Sequence, residues 1–235
     1  FVDSIGHQLQ QVFGNCEYIL GLETSITDHA LSLMFTFDPD GPVPPAPPPA
    51  VTGDILTVTK IADTNDGLCD SDCSLREAII HANNAPGHDA IIVPAGTYTL
   101  SIAGDNDDES ATGDLDILED LKIVGADQAT TIIDANGIDR VFHTFPGIEV
   151  VFENLTVTDG AQLNAGGIAI DQSDVSRINS TVTANASTKN TFPPDYHDGG
   201  GGISIQQGTL RLESVIISDN TAFTYGGGLH IWGAG

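Results

Sequence analysis

From residue 53 onward the apolar positions come in runs of three to five residues, and each run is closed by Gly, Pro, Asp or Asn. Ile55-Leu56-Thr57-Val58-Thr59 alternates with period two, followed by the turn-rich Asp63-Thr64-Asn65-Asp66-Gly67. Ile91-Ile92-Val93, Thr97-Tyr98-Thr99-Leu100, Leu121-Lys122-Ile123-Val124, Thr131-Ile132-Ile133, Val141-Phe142 and Val150-Val151-Phe152 read as further short strands. Three later strands share a Gly-Gly start: Gly166-Gly167-Ile168-Ala169-Ile170, Gly201-Gly202-Ile203-Ser204-Ile205 and Gly227-Gly228-Leu229-His230-Ile231. Aligning Val150-Val151-Phe152-Glu153 with Ser176-Arg177-Ile178-Asn179 and Leu210-Arg211-Leu212-Glu213 gives spacings of 26 and 34 residues, the second lengthened by a loop. The pattern predicts an all-β fold, a parallel β-helix (solenoid) of monomeric form. In this register Phe152, Ile178 and Leu212 stack inward, Val151, Arg177 and Arg211 stack outward, and Asp159, Asn185 and Asp219 share a recurring turn.

One segment departs from the strand pattern. Ser74-Leu75-Arg76-Glu77 has the spacing of a capping box, in which Ser74 accepts the Glu77 amide and the Glu77 side chain reaches back to Ser74. A helix from Leu75 to about Asn83 follows, with Leu75, Ala78, Ile79 and Ala82 on one face, suited to close the open N-terminal end of the strand stack. Upstream, residues 1–38 form a distinct segment, either the end of a preceding module or an unassigned stretch, with Ile5, Leu9, Val12, Phe13 and Cys16 at helical spacing. Residues 39–52 are a Pro-rich linker built on Pro42-Val43-Pro44-Pro45-Ala46-Pro47-Pro48-Pro49. Residues 53–235 are then the capped β-helix. Its last coil ends at Gly233-Ala234-Gly235 without a polar cap, so a longer intact chain is expected.

Charge narrows the range of partners. Thirty-three acidic residues against seven basic ones give a formal charge of -26, which repels phosphate backbones and anionic lipid. Nucleic acid and membrane surfaces are therefore excluded as partners, and cations or neutral glycans are favoured. The most apolar stretch, Tyr18 to Phe37, carries Glu23, Asp28 and His29, so no membrane insertion is expected. Cys69 and Cys73 are close enough in sequence to form a structural disulfide, which suits an oxidising compartment, whereas Cys16 has no evident partner. No second Cys or His pair stands at zinc spacing beside them.

The run from Asp66 to Ile79, Asp-Gly-Leu-Cys-Asp-Ser-Asp-Cys-Ser-Leu-Arg-Glu-Ala-Ile, with Ala82-Asn83 behind it, closely resembles the CSLREA domain. Thr112-Gly113-Asp114-Leu115-Asp116-Ile117, Thr131-Ile132-Ile133-Asp134-Ala135 and the Gly-Gly strand starts are similar to further segments of that family, and the likeness covers about Thr52 to Gly235. The resemblance implies a right-handed parallel β-helix on an exported or surface-displayed bacterial protein. It implies no reaction, and it marks Arg76 and Glu77 as capping rather than catalytic residues.

Three chemistries remain candidates. Calcium would suit the hard oxygen ligands of Asp105, Asp107, Asp108 and Glu109 together with Asp114 and Asp116; a second cluster comprises Asp63, Asn65, Asp66, Asp70 and Asp72. A polysaccharide or cell-surface glycan would suit the outward rows of the Gly-Gly strands, where Ala169, Ser204 and His230 form one row and Asp171, Gln206 and Trp232 the next. Tyr196 and His197 in the insertion 191–198 would overhang that face. Polysaccharide cleavage by a lyase or glycoside hydrolase needs a basic residue beside a metal-bound uronate, or two opposed carboxyl groups; the carboxylates to test are Asp171, Asp174, Asp195 and Asp198. His143 reads as a packed or turn histidine beside Phe142 and Phe145, and the sequons at Asn154, Asn179 and Asn185 read as chance matches. The leading reading is a non-enzymatic, adhesin-like or polysaccharide-binding stalk, and the alternative is a carbohydrate-active enzyme.

Overall fold

A computed structural model describes residues 24–27, 30–33, 50–104, 107–188 and 199–232. The helical spacing expected before Cys16, Cys16 itself and the Pro-rich core of the linker lie outside the described residues, as does the insertion 191–198. Within residues 1–38, Thr24–Thr27 and Ala30–Leu33 pair antiparallel, a hairpin that the sequence reading did not anticipate.

All the other sheets are parallel, and none closes on itself. The first holds Ile55–Thr57, Asp89–Val93, Leu121–Gly125, Glu149–Glu153, Asp174–Ile178 and Thr209–Glu213, side by side in chain order. A second contains Gly96–Thr99, Thr131–Asp134, Thr156–Thr158, Thr181–Thr183 and Ile216–Ser218. The third contains Leu115–Ile117, Phe142–Thr144, Ile168–Asp171, Ile203–Gln206 and Leu229–Trp232. Ala161–Gln162, Ala186–Ser187 and Thr221–Ala222 make a small fourth sheet. Within each parallel sheet, successive strands come from successive stretches of the chain, so that the buried side chains of one strand stand beside those of the next.

That stacking builds the core. Leu115, Phe142, Ile168 and Ile203 form one buried row of the third sheet, while Tyr98, Ile133, Val157 and Val182 form one in the second. Left-handed backbone recurs where the passes bend: Asn154, Asn179 and Ser214 have φ of 57°, 46° and 53°, and Asp159, Ala184 and Asp219 have 55°, 56° and 55°. The paired glycines have a steric cause at the same corners. A β-carbon on Gly166 would come within 2.5 Å of Gly160 O and Ala186 N, because successive passes touch backbone to backbone there.

The helix Leu75–Asn84 is present, with Ser74 as its N-cap and both hydrogen bonds of the capping box formed: Glu77 N donates to Ser74 Oγ at 3.1 Å, and Ser74 N donates to Glu77 Oε2 at 2.7 Å. Leu75, Ala78, Ile79 and Ala82 are buried in the core as the apolar stripe predicts. Asn83 docks the helix on the third sheet, donating to Asp116 O and accepting from Leu118 N. The Cys69–Cys73 disulfide is formed.

The register of the first sheet corrects the sequence alignment by one residue. Phe152 stands beside Arg177 and Arg177 beside Leu212, so the spacings are 25 and 35 residues. Arg177, expected outward, is fully buried in the inward row with Ile91, Ile123, Phe152 and Leu212; Ile178, expected inward, stands beside Glu153 and Glu213. The same shift puts Ala184 in the turn position expected for Asn185. Asn185 is instead buried, donating to Val157 O, Thr183 O and Asn220 Oδ1 and accepting from Gly160 N. It forms an asparagine ladder that ties three passes together, and its burial removes it as a glycosylation acceptor.

Candidate active and binding face

The outward residues of the third sheet alternate with its core rows. Strand pairing aligns Asp116, His143, Ala169, Ser204 and His230 in one outward row, with Asp171, Gln206 and Trp232 in a second. The pairing within both rows is as inferred from the glycine-started strands, and the first row extends back to Asp116 and His143, but Asp116, Ala169 and Ser204 in that row are buried rather than open to solvent. Two ends of this face differ in character.

Toward the later strands, the Trp232 indole is half-buried, and its Nε1–H donates to Ser204 Oγ at 3.2 Å. The His230 ring stacks on Tyr225 with centroids 5.6 Å apart and planes 13° from parallel. Tyr225 and Phe223 are exposed nearby in sequence. Asp171 ends its strand and accepts from Gln172 Nε2 at 3.3 Å. Asp174 lies across the corner on the first sheet, exposed, with its carboxylate accepting from Thr209 Oγ1 at 2.6 Å. These two carboxylates stand on different sheets, and Asp174 is already bound. Asp195, Tyr196, His197 and Asp198 lie outside the described residues.

Toward the early strands, the predicted acidic cluster divides. Asp105 is outside the described residues. Asp107 turns back on its own loop, accepting from Glu109 N and Thr112 N, and Glu109 is exposed. Asp114 faces Arg140, whose Nε lies 2.7 Å from Asp114 Oδ2 without the N–H being aimed at that oxygen. Asp108 and Asp116 do meet, and the third member of their group is His143: one ligand atom from each lies within 4.8 Å of the others. His143 packs on Phe145 with ring centroids 4.2 Å apart, as expected of a packed histidine, and also stands beside the two carboxylates. The signal for it was available in the Asp116-to-His143 register, since each residue sits between two buried positions of its strand, Leu115 and Ile117 for Asp116 and Phe142 and Thr144 for His143.

Electrostatics follow from burial. Loss of solvent, reinforced by neighbouring carboxylates, holds both Asp114 and Asp116 well above the ordinary carboxylate range, against the opposing pull of Arg140. Burial, then the positive charge of Arg140, lowers His143 to about 4. Asp116 is held firmly: its Oδ2 accepts from Ser110 N at 2.9 Å, Asp116 N donates to Ser110 Oγ at 2.6 Å, and Ser110 Oγ donates to Asp116 O at 2.9 Å.

The second acidic cluster is structural. Asp63 is an ion-pair partner of Arg76 and accepts from Ser101 N and Ile102 N; Asp66 and Asp70 cap turns by accepting from Leu68 N and Asp72 N. Asp72 pairs with Lys60 Nζ at 3.1 Å, and among the described residues this cluster does not bring three possible ligands together. Comparison with protein-family models, curated proteins and solved structures gave no match to this chain. No helix among the described residues is long and apolar enough to cross a membrane.

Proposed function

We propose that the chain coils as a right-handed parallel β-helix of the CSLREA type and serves as a polysaccharide-binding stalk outside the cell or on its surface. The observation that carries this reading is the in-register row Asp171, Gln206 and Trp232 on the third sheet. Parallel pairing sets such neighbours about 4.8 Å apart, so a carboxylate, an amide and an indole line up along one direction, as an extended polymer requires. The indole offers a flat apolar face to a sugar ring, while the amide and carboxylate supply directional partners for hydroxyls. The disulfide supports an oxidising location. The side-chain arrangement favours binding over hydrolysis, because Asp171 and Asp174 stand on different sheets and Asp174 is engaged by Thr209.

The test is incubation with plant and microbial polysaccharides, followed by measurement of retained polymer and mass spectrometry of soluble products. Retention of intact polymer that is lost in Trp232→Ala supports the stalk. Retention untouched by that substitution moves binding off this face, and shortened or unsaturated oligosaccharides replace the stalk with an enzyme.

A further inference from the structure

Asp116 poses a problem that the fold itself does not solve. Its carboxylate is fully buried, and although Oδ2 is satisfied by Ser110, Oδ1 has no hydrogen-bond partner among the described residues. Oδ1 points toward His143 Nδ1, 3.5 Å away, a separation too long for a hydrogen bond. Arg140 lies against Asp114, with its Nε 2.7 Å from Asp114 Oδ2, and makes no hydrogen bond to Asp116 Oδ1. A fully buried carboxyl oxygen without a hydrogen-bond partner is costly, and an ion seated beside it would supply the missing contact.

We propose that Asp108, Asp116 and His143 form a divalent transition-metal site of the zinc type. Three arguments converge on that class. Ligands about 2.0–2.2 Å from a tetrahedral ion stand roughly 3.4 Å from one another, and the Asp116 Oδ1 to His143 Nδ1 separation of 3.5 Å already matches that edge. Asp108 is exposed, and its carboxylate, within 4.8 Å of the other two, closes the remaining gap by a side-chain rotation. An imidazole beside two carboxylates suits zinc, cobalt or manganese, whereas calcium takes oxygen ligands alone. The proposed site keeps Asp108 and Asp116 from the set expected to hold calcium and adds His143, whose nitrogen favours a transition metal.

The surrounding residues act as an outer shell. Ser110 fixes the Asp116 carboxylate, and Phe145 packs against the imidazole ring, so two of the three ligands are oriented before an ion arrives. Three protein ligands leave a fourth position, open on the Asp108 side, for water or an exchangeable oxygen ligand. This inference stands independently of the glycan reading.

The experiment is calorimetric titration of chelator-stripped protein with zinc chloride and, separately, calcium chloride. Cobalt chloride is added in a third arm, and its visible absorption reports nitrogen coordination. One zinc per chain is expected. Asp108→Ala and His143→Gln should each weaken it by more than the ~10-fold that removal of an outer-shell partner costs. His143→Gln should also change the cobalt spectrum. Asp108→Ala alters only an exposed side chain, so its metal-free thermal melt should match that of the parent and folding does not confound the result. Absence of zinc binding, zinc binding unaffected by both substitutions, or calcium bound more tightly than zinc would each overturn the proposal.

Discussion

Two arginines are buried to the same degree in this molecule, and they are treated in opposite ways. Arg76, on the capping helix, has every N–H of its guanidinium directed at an acceptor: Asp63 receives Nε and Nη2 at 2.7 and 3.2 Å, Ser110 O and Asp114 O receive Nη1, and Gly113 O receives Nη2. Arg177, in the first sheet, has a single long bond from Nη2 to Thr181 O at 3.4 Å, and its Nε and Nη1 have no partner among the described residues. Its compensation is the Phe152 ring, 5.2 Å from the guanidinium carbon. The difference shows what the stack can and cannot supply. Loops at its capped end bring carbonyls and a carboxylate inward to meet a charge, whereas the interior of a parallel stack has already spent its backbone acceptors on neighbouring strands.

Removing Arg76 should therefore have the largest effect. Arg76→Met would leave the Asp63 carboxylate and three carbonyls without their donor, and breaking a buried pair in this way costs about 3–5 kcal/mol. Urea unfolding should show a midpoint lowered to match; a change below about 1 kcal/mol would mean that the clamp is ornamental.

Acid should act on the same region through Glu77. Although burial raises its pKa, hydrogen bonds from Ser74 N, Thr64 Oγ1 and Asp66 N more than offset this, bringing the group down from 4.5 to about 2. A carboxylate whose folded pKa is depressed contributes stability above its unfolded value, and that contribution is lost as pH falls through the folded one. Here the window runs from about 4.5 down to about 2 and is worth roughly 3 kcal/mol. Parent protein and Glu77→Gln should differ by that amount at pH 6 and converge near pH 2, a comparison that cancels every other titrating group. A constant gap across the range would remove Glu77 as the acid-sensitive residue.

Arg177 should respond in the opposite direction. Burial lowers its pKa to about 9, a sign of how poorly the charge is accommodated. Arg177→Met keeps an unbranched apolar stem and removes the charged guanidinium, so the unfolding midpoint should rise, with a gain within the ~1–4 kcal/mol seen when buried ions are replaced by apolar residues. A loss instead would show that the contact with Phe152 outweighs the burial cost.

The same residue marks the limit of what was legible in the sequence. The apolar stripe of the helix, the Ser74 to Glu77 spacing and the glycine-started strands all translated directly into structure, because each rests on local geometry that neighbours do not override. Register in the first sheet did not: the alignment set Ile178 inward, whereas pairing puts Arg177 in the buried row beside Phe152. A one-residue slip exchanges the two faces of a strand, so the error carried over to Asn185 and Ala184. The Thr-Val-Thr pattern at Thr156–Thr158 and again at Thr181–Thr183, 25 residues apart, held the correct spacing. His143 was missed for a different reason: its partners come from a loop and a strand of the preceding pass, and only the register of the third sheet unites them.

The smallest effect separates the covalent and noncovalent parts of the capped end. Cys69 and Cys73 are four residues apart in sequence, so the loop they close is short, and the chain-entropy estimate for its closure is only about 2 kcal/mol. Arg76, by contrast, joins the helix to Asp63 and to the 110–114 loop, segments 13 and more than 30 residues away. If the guanidinium carries the capped end, Cys69→Ser with Cys73→Ser should lower stability by about the entropic figure and leave the acid transition of Glu77 where it was. A loss as large as that of Arg76→Met would reverse the assignment. The disulfide would then position Ser74, directly after Cys73, and the arginine would merely occupy a cavity that the sulfur bridge had shaped.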